Sequence, residues 1–143
     1  MGYFNCKAML KIYSKVEPEL LLAIVNLLNE IKGREDLTNP CEILQVARIF
    51  EDKKFYRPHA HLPKKVEYLG VTQESMVVIK GWLRCYIYDL DDSIISIREL
   101  TPGDCIINFA GGHAYEVMES NTFFYEFKSG PYYGQEQDKV FID

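Results

Sequence analysis

The chain has 143 residues, of which 48% are hydrophobic and 26% charged, and its formal net charge at pH 7 is -5. These values predict one folded domain with a buried core, and they exclude a largely disordered chain. The acidic balance, with no basic stripe, argues against a nucleic-acid partner. No stretch approaches the roughly 20 apolar residues of a membrane span, so no membrane partner is expected.

The four cysteines are widely spaced and form no Cys-x-x-Cys pair; they are Cys6, Cys41, Cys85 and Cys105. The first residues include Asn5 and Lys7 and contain no long apolar run, so no signal peptide is predicted. We therefore expect a cytoplasmic protein whose thiols are reduced.

The amino-terminal segment predicts a short strand over residues 8–13 and then an α-helix over residues 17–32. Apolar side chains recur in the second segment with helical spacing. Pro18 suits the first turn of that helix, and Gly33 suits its C-terminal stop. A polar linker follows as far as Pro40.

Beyond the linker the pattern changes to short strands separated by turns. The predicted strands cover residues 43–50, 55–61, 74–80, 82–89, 93–100, 104–109, 113–119 and 122–128. Turn residues such as Pro102-Gly103-Asp104 and Gly111-Gly112 separate several of them. The count predicts an all-β sandwich or barrel and fits a double-sheet jelly roll. The expected domains are an extension over 1–39 and a jelly roll over 40–143.

The three histidines form the most informative pattern in the chain. His59 and His61 stand two apart, and on a strand such residues point to the same face. Imidazole is the commonest neutral ligand of transition metals, and His113 from a distant strand would complete a set of three. In the alternative interpretation His59 and His61 lie on the surface of an alternating strand, and His113 simply follows a turn.

The phrases around these histidines resemble the two motifs of the cupins. The matching residues are His59-Ala60-His61, then Glu74 with six residues between it and Gly81, then Pro102-Gly103-Asp104 and Gly111-Gly112-His113. Within the cupins, the chain resembles more closely the small cupins of bacterial surface-polysaccharide gene clusters, the WbuC type. That likeness adds Arg57-Pro58 before the first histidine and the tail Glu126-Phe127-Lys128-Ser129-Gly130-Pro131-Tyr132, followed by Asp138-Lys139.

The resemblance implies a double-stranded β-helix, the cupin barrel, with one divalent transition metal held by four side chains. The implied ligands are His59, His61, Glu74 and His113. Such a set leaves open positions for a substrate, and it suits Zn, Fe, Mn or Ni without choosing among them.

The sequence departs from the cupin motifs in two places. Twelve residues separate His61 from Glu74, so residues 62–73 form an extended loop, predicted to act as a lid, and Glu67 inside it competes as the carboxylate ligand. Phe109 stands where the second motif usually has proline.

Residues near the predicted metal suggest chemical roles. Tyr115 shares a strand face with His113, and Glu126 lies among aromatic residues, so both are candidates for proton transfer. A core tyrosine and an exposed edge glutamate are the alternatives. Arg57, Arg84 and Lys65 are candidates for binding an anionic substrate. For Arg57 the alternative is a surface salt bridge, and Arg84 faces inward only if the aliphatic residues of its strand face out.

Three functions fit these residues. The first is a metal-dependent enzyme, an isomerase or lyase, acting on a small sugar or sugar nucleotide in surface-polysaccharide metabolism. The second is an Fe(II)-dependent dioxygenase, and the third is a non-catalytic cupin that binds a sugar or metabolite. The expected partners are a small-molecule ligand and a second copy of the chain in a homodimer, because an exposed β-edge is otherwise a liability.

Overall fold

A computed structural model describes residues 8–68 and 70–143, and their secondary structure is mostly β. Within these residues the strands are β1 (Met9–Tyr13), β2 (Leu21–Asn26), β3 (Gly33–Asp36), β4 (Ala47–Phe50), β5 (Glu74–Lys80), β6 (Leu83–Tyr88), β7 (Ile94–Leu100), β8 (Cys105–Asn108), β9 (Gly112–Val117) and β10 (Phe123–Lys128). One short helix, α1 (Gln135–Asp138), follows them. The all-β prediction is confirmed, and no helix of the described residues is long and apolar enough to cross a membrane.

The chain forms two compact units. One comprises the described residues up to Asn29 together with Val71–Asp143, and the other comprises Glu30–Gly70. The second unit contains the antiparallel hairpin β3–β4, where Gly33 pairs with Phe50. The residues described between β4 and β5 form no helix or strand.

The first unit is built from two antiparallel sheets. The larger has the strand order β1-β2-β8-β5-β10, and the smaller has the order β7-β6-β9. Apolar side chains of both sheets form one buried cluster, which includes Ile12, Ala23, Val25, Met76, Val78, Leu83, Cys85, Ile87 and Ile106. Alternate residues of β5 and β6 contribute to this core, as the period of two along a strand requires.

The predicted helix over residues 17–32 is wrong, because the centre of this segment forms strand β2. Leu22 to Asn26 are all buried, and the strand pairs with β1 on one side and β8 on the other. A strand buried on both faces is a continuous apolar run, and its residues also satisfy helical spacing. Ile24 and Val25 are β-branched, which favours the strand.

The predicted strand over residues 55–61 is also wrong. Its residues are exposed and have no paired strand in the part of the chain that the structure describes. Pro58 lacks the amide hydrogen that a ladder needs, and Pro63 follows closely. The strands predicted over residues 8–13, 74–80, 82–89, 93–100, 104–109, 113–119 and 122–128 are confirmed, with ends that differ by up to two residues. Of the strand predicted over residues 43–50 only the second half forms, as β4, and it pairs with β3, which lies in the segment predicted as a polar linker.

Candidate functional site

Three polar side chains stand in one row across the larger sheet of the first unit. Glu74 of β5 is paired with Asn108 of β8 on one side and with Lys128 of β10 on the other. Paired residues of antiparallel strands share a face, so the three side chains are neighbours on the side that carries the core. The row continues through Ala23 and Ile12, which belong to the apolar cluster. It therefore forms a polar border at one end of the core.

His113 reaches this row from the smaller sheet. Its Nε2 lies 3.0 Å from Oε1 of Glu74, although the two residues are 39 positions apart. The turn before His113 depends on Gly111, whose φ is +71° and whose place leaves no room for a side chain next to the carbonyl of Tyr88. His113 is paired with Ile87, an inward residue of β6, which aims the imidazole at the opposite sheet.

Lys128 is the cation shared by the carboxylates of this region. Its Nζ lies 3.3 Å from Glu74, 3.0 Å from Glu126 and 3.7 Å from Asp138. Burial would lower the pKa of Lys128, but the bond to Glu126 and the charge of Glu74 outweigh it and raise this pKa. Lys128 is therefore a fixed positive charge across the physiological range.

Glu74 is an ionised carboxylate in a buried place. Burial would raise its pKa, but the hydrogen bond and charge of His113, followed by those of Lys128, outweigh it and hold the pKa of Glu74 below its ordinary value. The carboxylate is negative at neutral pH and accepts hydrogen bonds from His113 and Lys128. A buried carboxylate oxygen next to an imidazole can accept a hydrogen bond from a bound molecule or coordinate a metal ion.

Tyr115 and Glu126 form a second pair beside the first. The hydroxyl of Tyr115 donates to Oε2 of Glu126 at 3.3 Å, and its ring packs edge-to-face on Phe124. Burial, the charge of Glu126 and the charge of Glu74 all raise the pKa of Tyr115. Tyr115 is therefore a protonated donor at neutral pH, and Glu126 is its acceptor.

A cavity of about 520 Å³ lies over these groups, and every residue that lines it belongs to the first unit. Its polar lining comprises Thr72, Glu74, Tyr88, Asn108, His113, Tyr115, Glu126, Asp138 and Lys139. Apolar side chains of the carboxyl-terminal segment, Val140, Phe141 and Ile142, form another wall. This size and mixture are typical of a site for a small molecule.

The other two predicted metal ligands, His59 and His61, lie in the second unit. Their rings are 5.2 Å apart at an interplanar angle of 79°. Nδ1 of His59 is 2.9 Å from the carbonyl oxygen of Arg57, which only accepts, so Nδ1 carries a proton, and in the neutral form of the ring Nε2 has the lone pair. This is the arrangement that a metal-binding histidine needs.

The donor chemistry of the predicted set suits a transition metal. Within residues 8–68 and 70–143, no three His, Cys, Asp or Glu side chains already stand together as a metal-binding group. The predicted ligands do lie together in two pairs, Glu74 with His113 and His59 with His61. The shared site of all four residues stays a prediction.

Of the predicted substrate-binding residues, Arg84 belongs to the first unit and is not part of the lining of the cavity. Arg84 stands on the outer face of β6, where Nε lies 2.6 Å from Oε1 of Glu99. Arg57 is exposed in the second unit. Lys65 pairs at 3.3 Å with Glu67, the competing carboxylate, and both side chains are largely exposed. Their predicted roles stay predictions.

Three residues of the site were missed in the sequence. Lys128 stands two positions after Glu126 on one strand, a spacing that already places both on one face. Asn108 ends the apolar run of β8, and a polar residue there is a usable signal. Asp138 belongs to the tail that resembles the small cupins, but the resemblance gives it no role; its carboxylate accepts a hydrogen bond from Thr72 at 2.7 Å.

Comparisons with protein-family models, curated proteins and solved structures found no match to this chain.

Proposed function

We propose that this protein is a cupin of the jelly-roll type that uses one divalent metal to transform a small sugar or sugar nucleotide in surface-polysaccharide metabolism. The contact between Glu74 and His113 carries the proposal. The cupin motifs predict both residues as ligands of one metal, and they come from different sheets to meet at a cavity of small-molecule size.

The residues that would hold the metal provide three imidazoles and one carboxylate; they are His59, His61, Glu74 and His113. When bound, Zn, Fe, Mn or Ni would supply Lewis-acid polarisation of a carbonyl or hydroxyl oxygen. Lys128 balances part of the negative charge of Glu74 and holds that carboxylate in place.

Proton transfer is assigned to Tyr115 and Glu126. Because its pKa is raised, Tyr115 holds its proton at neutral pH and acts as the donor. Glu126 accepts the hydrogen bond of Tyr115 and acts as the base. Phe141 and Ile142 add apolar side chains to the wall of the cavity beside these groups.

An Fe(II)-dependent dioxygenase and a non-catalytic sugar-binding cupin are the alternatives that share this site. Strand β10 is a candidate surface for the predicted homodimer, because it lies at the edge of its sheet. Three of its aromatic side chains are half-exposed, and the ring of Tyr125 contacts those of Phe123 and Phe127.

The decisive experiment is elemental analysis of protein purified without a metal-affinity tag, together with two matched glutamate variants. We expect about one metal ion per chain in the wild type and in Glu67→Gln, and at least roughly tenfold weaker metal binding in Glu74→Gln, because a neutral amide is a poorer ligand than a carboxylate. Glu67 is the matched control, since it is exposed and pairs only with Lys65 among the contacts described.

The identity of the metal separates the alternatives. Iron with oxygen uptake favours the dioxygenase, whereas zinc, manganese or nickel favours the Lewis-acid enzyme. Metal lost in Glu67→Gln and kept in Glu74→Gln would show that the motif spacing selects the wrong carboxylate. A wild-type protein without metal would overturn the metalloenzyme and favour the sugar-binding cupin.

A further inference from the structure

Lys128 occupies the place among three carboxylates that a bound cation would take. Its Nζ lies 3.3 Å from Oε2 of Glu74, 3.0 Å from Oε1 of Glu126 and 3.7 Å from Oδ2 of Asp138. The side chain of Lys128 is 17% exposed, and those of Glu74 and Asp138 are 8% and 12% exposed. The ammonium group is therefore surrounded by acceptors and largely withdrawn from water.

The three carboxylates come from three different elements of the first unit. Glu74 is the register partner of Lys128 on β5, and Glu126 stands two positions before Lys128 on β10, on the same face. Asp138 comes from α1, and it also accepts a hydrogen bond from Thr72. Acids this close repel one another, so the fold brings them together only with a positive charge between them.

The two oxygens of Glu74 have partners of different chemistry. Oε1 lies 3.0 Å from Nε2 of His113, whereas Oε2 lies 3.3 Å from the ammonium of Lys128. One carboxylate oxygen beside an imidazole nitrogen suits a transition metal. Ca²⁺ and Mg²⁺ prefer ligands that are all oxygen, and Ca²⁺ often takes both oxygens of one carboxylate. The contact of Lys128 with Oε2 therefore favours the first class of ion.

Without Lys128, the same acids would suit the second class of ion. Ca²⁺ takes oxygen ligands at about 2.3–2.6 Å, so the carboxylates would have to draw in by roughly 1 Å from their distances to Nζ. Glu126 is the most exposed of the three acids, at 31%, and has room for this movement. In the wild type the ammonium group occupies that place and repels a second cation.

We propose that Lys128 determines the metal specificity of the site: as a built-in cation it excludes Ca²⁺ from Glu74, Glu126 and Asp138 and leaves Glu74 to bind a transition metal with His113. The second half of this inference rests on the proposed function. The exclusion of Ca²⁺ depends on Lys128 and the three carboxylates, so it can be tested separately.

The test compares Ca²⁺ binding by the wild type and Lys128→Met at pH 7. Methionine ends one atom short of Nζ, so it keeps most of the lysine stem and leaves the place of the ammonium group open. The protein as purified is titrated with CaCl₂ by isothermal titration calorimetry. We expect a Kd of roughly 10⁻⁴–10⁻³ M in Lys128→Met, the range of weak calcium sites, and at least roughly tenfold weaker binding in the wild type.

Thermal unfolding gives a second measurement, which remains valid if Lys128→Met is less stable than the wild type. An ion that binds only the folded state raises Tm. With about 10 mM CaCl₂, compared with NaCl at equal ionic strength, we expect Tm of Lys128→Met to rise by about 3 °C or more. The wild type should change by less than about 1 °C.

Two control variants separate the position of the charge from the total charge. Lys128→Arg keeps a cation among the acids, so its Ca²⁺ affinity should stay within about threefold of that of the wild type. Lys139→Met changes the net charge as Lys128→Met does, and Lys139 is an exposed residue in the lining of the same cavity. Its Ca²⁺ affinity should also stay within about threefold of that of the wild type.

Three outcomes would overturn the inference: equal Ca²⁺ affinity in Lys128→Met and the wild type, tightening as large in Lys139→Met, or tightening in Lys128→Arg. A Zn²⁺ titration of the wild type, after removal of any bound metal with a chelator, tests the proposed function separately. Zn²⁺ binding without a gain of Ca²⁺ binding in Lys128→Met defeats only the inference. A gain of Ca²⁺ binding in Lys128→Met, with a wild type that binds no Zn²⁺, supports the exclusion of Ca²⁺ and defeats the metalloenzyme.

Discussion

Asp89 and Glu74 are both buried carboxylates of the first unit, yet their surroundings differ in kind. Asp89 follows β6 and accepts hydrogen bonds from Ser14 Oγ at 2.5 Å, from the N–H of Lys15 at 2.6 Å and from its neighbour Leu90 at 2.8 Å. These partners are neutral and belong to two turns that the carboxylate ties together. Every bond serves the fold.

Glu74 is surrounded by ionisable groups and an open cavity. Its partners are His113 and Lys128, and the amide of Asn108 beside it has an unpartnered donor among the described residues. A buried acid whose neighbours are all satisfied is typical of structure, whereas an acid among charges and an unsatisfied donor is typical of a binding site. The two sites should respond differently to substitution.

The largest expected effect is the loss of stability in Asp89→Asn. The amide places an N–H group against donors that need an acceptor, so we expect Tm to fall by roughly 5–10 °C at pH 7. Differential scanning calorimetry measures the change. Asp92→Asn is the control, because Asp92 is exposed in the same turn with φ of +64°, a conformation that asparagine tolerates. Equal losses in both variants would contradict the structural role of Asp89.

The effect of Asp89→Asn should also depend on pH. Burial would raise the pKa of Asp89, but hydrogen bonds from Ser14, Lys15 and Leu90 outweigh it and hold this pKa below the ordinary 3.8. A lowered pKa in the folded state gives stability that is complete above about 3.8 and is lost as the pH falls through the folded value. Unfolding curves of variant and wild type should therefore converge in acid; a constant difference would contradict this.

Lys128→Met changes the surroundings of Glu74, and we expect an intermediate loss of stability. Removing the cation leaves three carboxylates that repel one another, while methionine keeps most of the packing of the stem. We expect a loss of about 2 kcal/mol in the free energy of unfolding, less than for a fully buried pair because solvent reaches the site.

Urea unfolding at pH 7 and at about pH 3 measures the effect of Lys128→Met, and the loss should shrink in acid, because the attraction of Lys128 for Glu74 is lost as the pH falls through the lowered pKa of that carboxylate. Lys80→Met, an exposed lysine on β5, should change little. A loss in Lys128→Met that does not vary with pH would point to packing instead of charge.

The smallest expected change in stability is that of Tyr115→Phe. This variant separates a role in catalysis from a role in the fold. A bond of 3.3 Å contributes little, so we expect less than about 0.5 kcal/mol. Once a sugar substrate is known, turnover should fall by roughly 10²-fold or more because the proton donor is gone. Tyr86→Phe is a close control: Tyr86 donates to Glu116 at 3.0 Å on the outer face of the same strand pair. Equal turnover in both variants would remove Tyr115 from the mechanism.

Most strands could be predicted from the sequence because their residues alternate or end at clear turns. Leu83, Cys85 and Ile87 face the core, as aliphatic residues of an alternating strand should, and this leaves Arg84 outside. Strand β2 was not recognised because a strand covered on both faces has no alternation. Its type is decided by pairing with β1 and β8, which local sequence does not contain.

The site was predictable only in part, because local sequence does not show which distant strands are paired. The motif spacing brings Glu74 and His113 forward as candidates, and they contact each other. Asn108 is recognised only when the register of β8 against β5 is known, since that register places it opposite Glu74. Pairs of residues from distant strands depend on topology, and one residue of slip would turn them to the other face.

The position of β2 between β1 and β8 has a consequence for how the protein assembles during synthesis. The hairpin β1–β2 forms from local contacts, but Ala23 finds Asn108 only after most of the chain has been made. Such long-range antiparallel pairing slows folding and leaves an unpaired strand edge exposed in the meantime. We therefore expect the nascent chain to expose an apolar strand edge until β8 has been made, and this is the stage at which aggregation is most favoured.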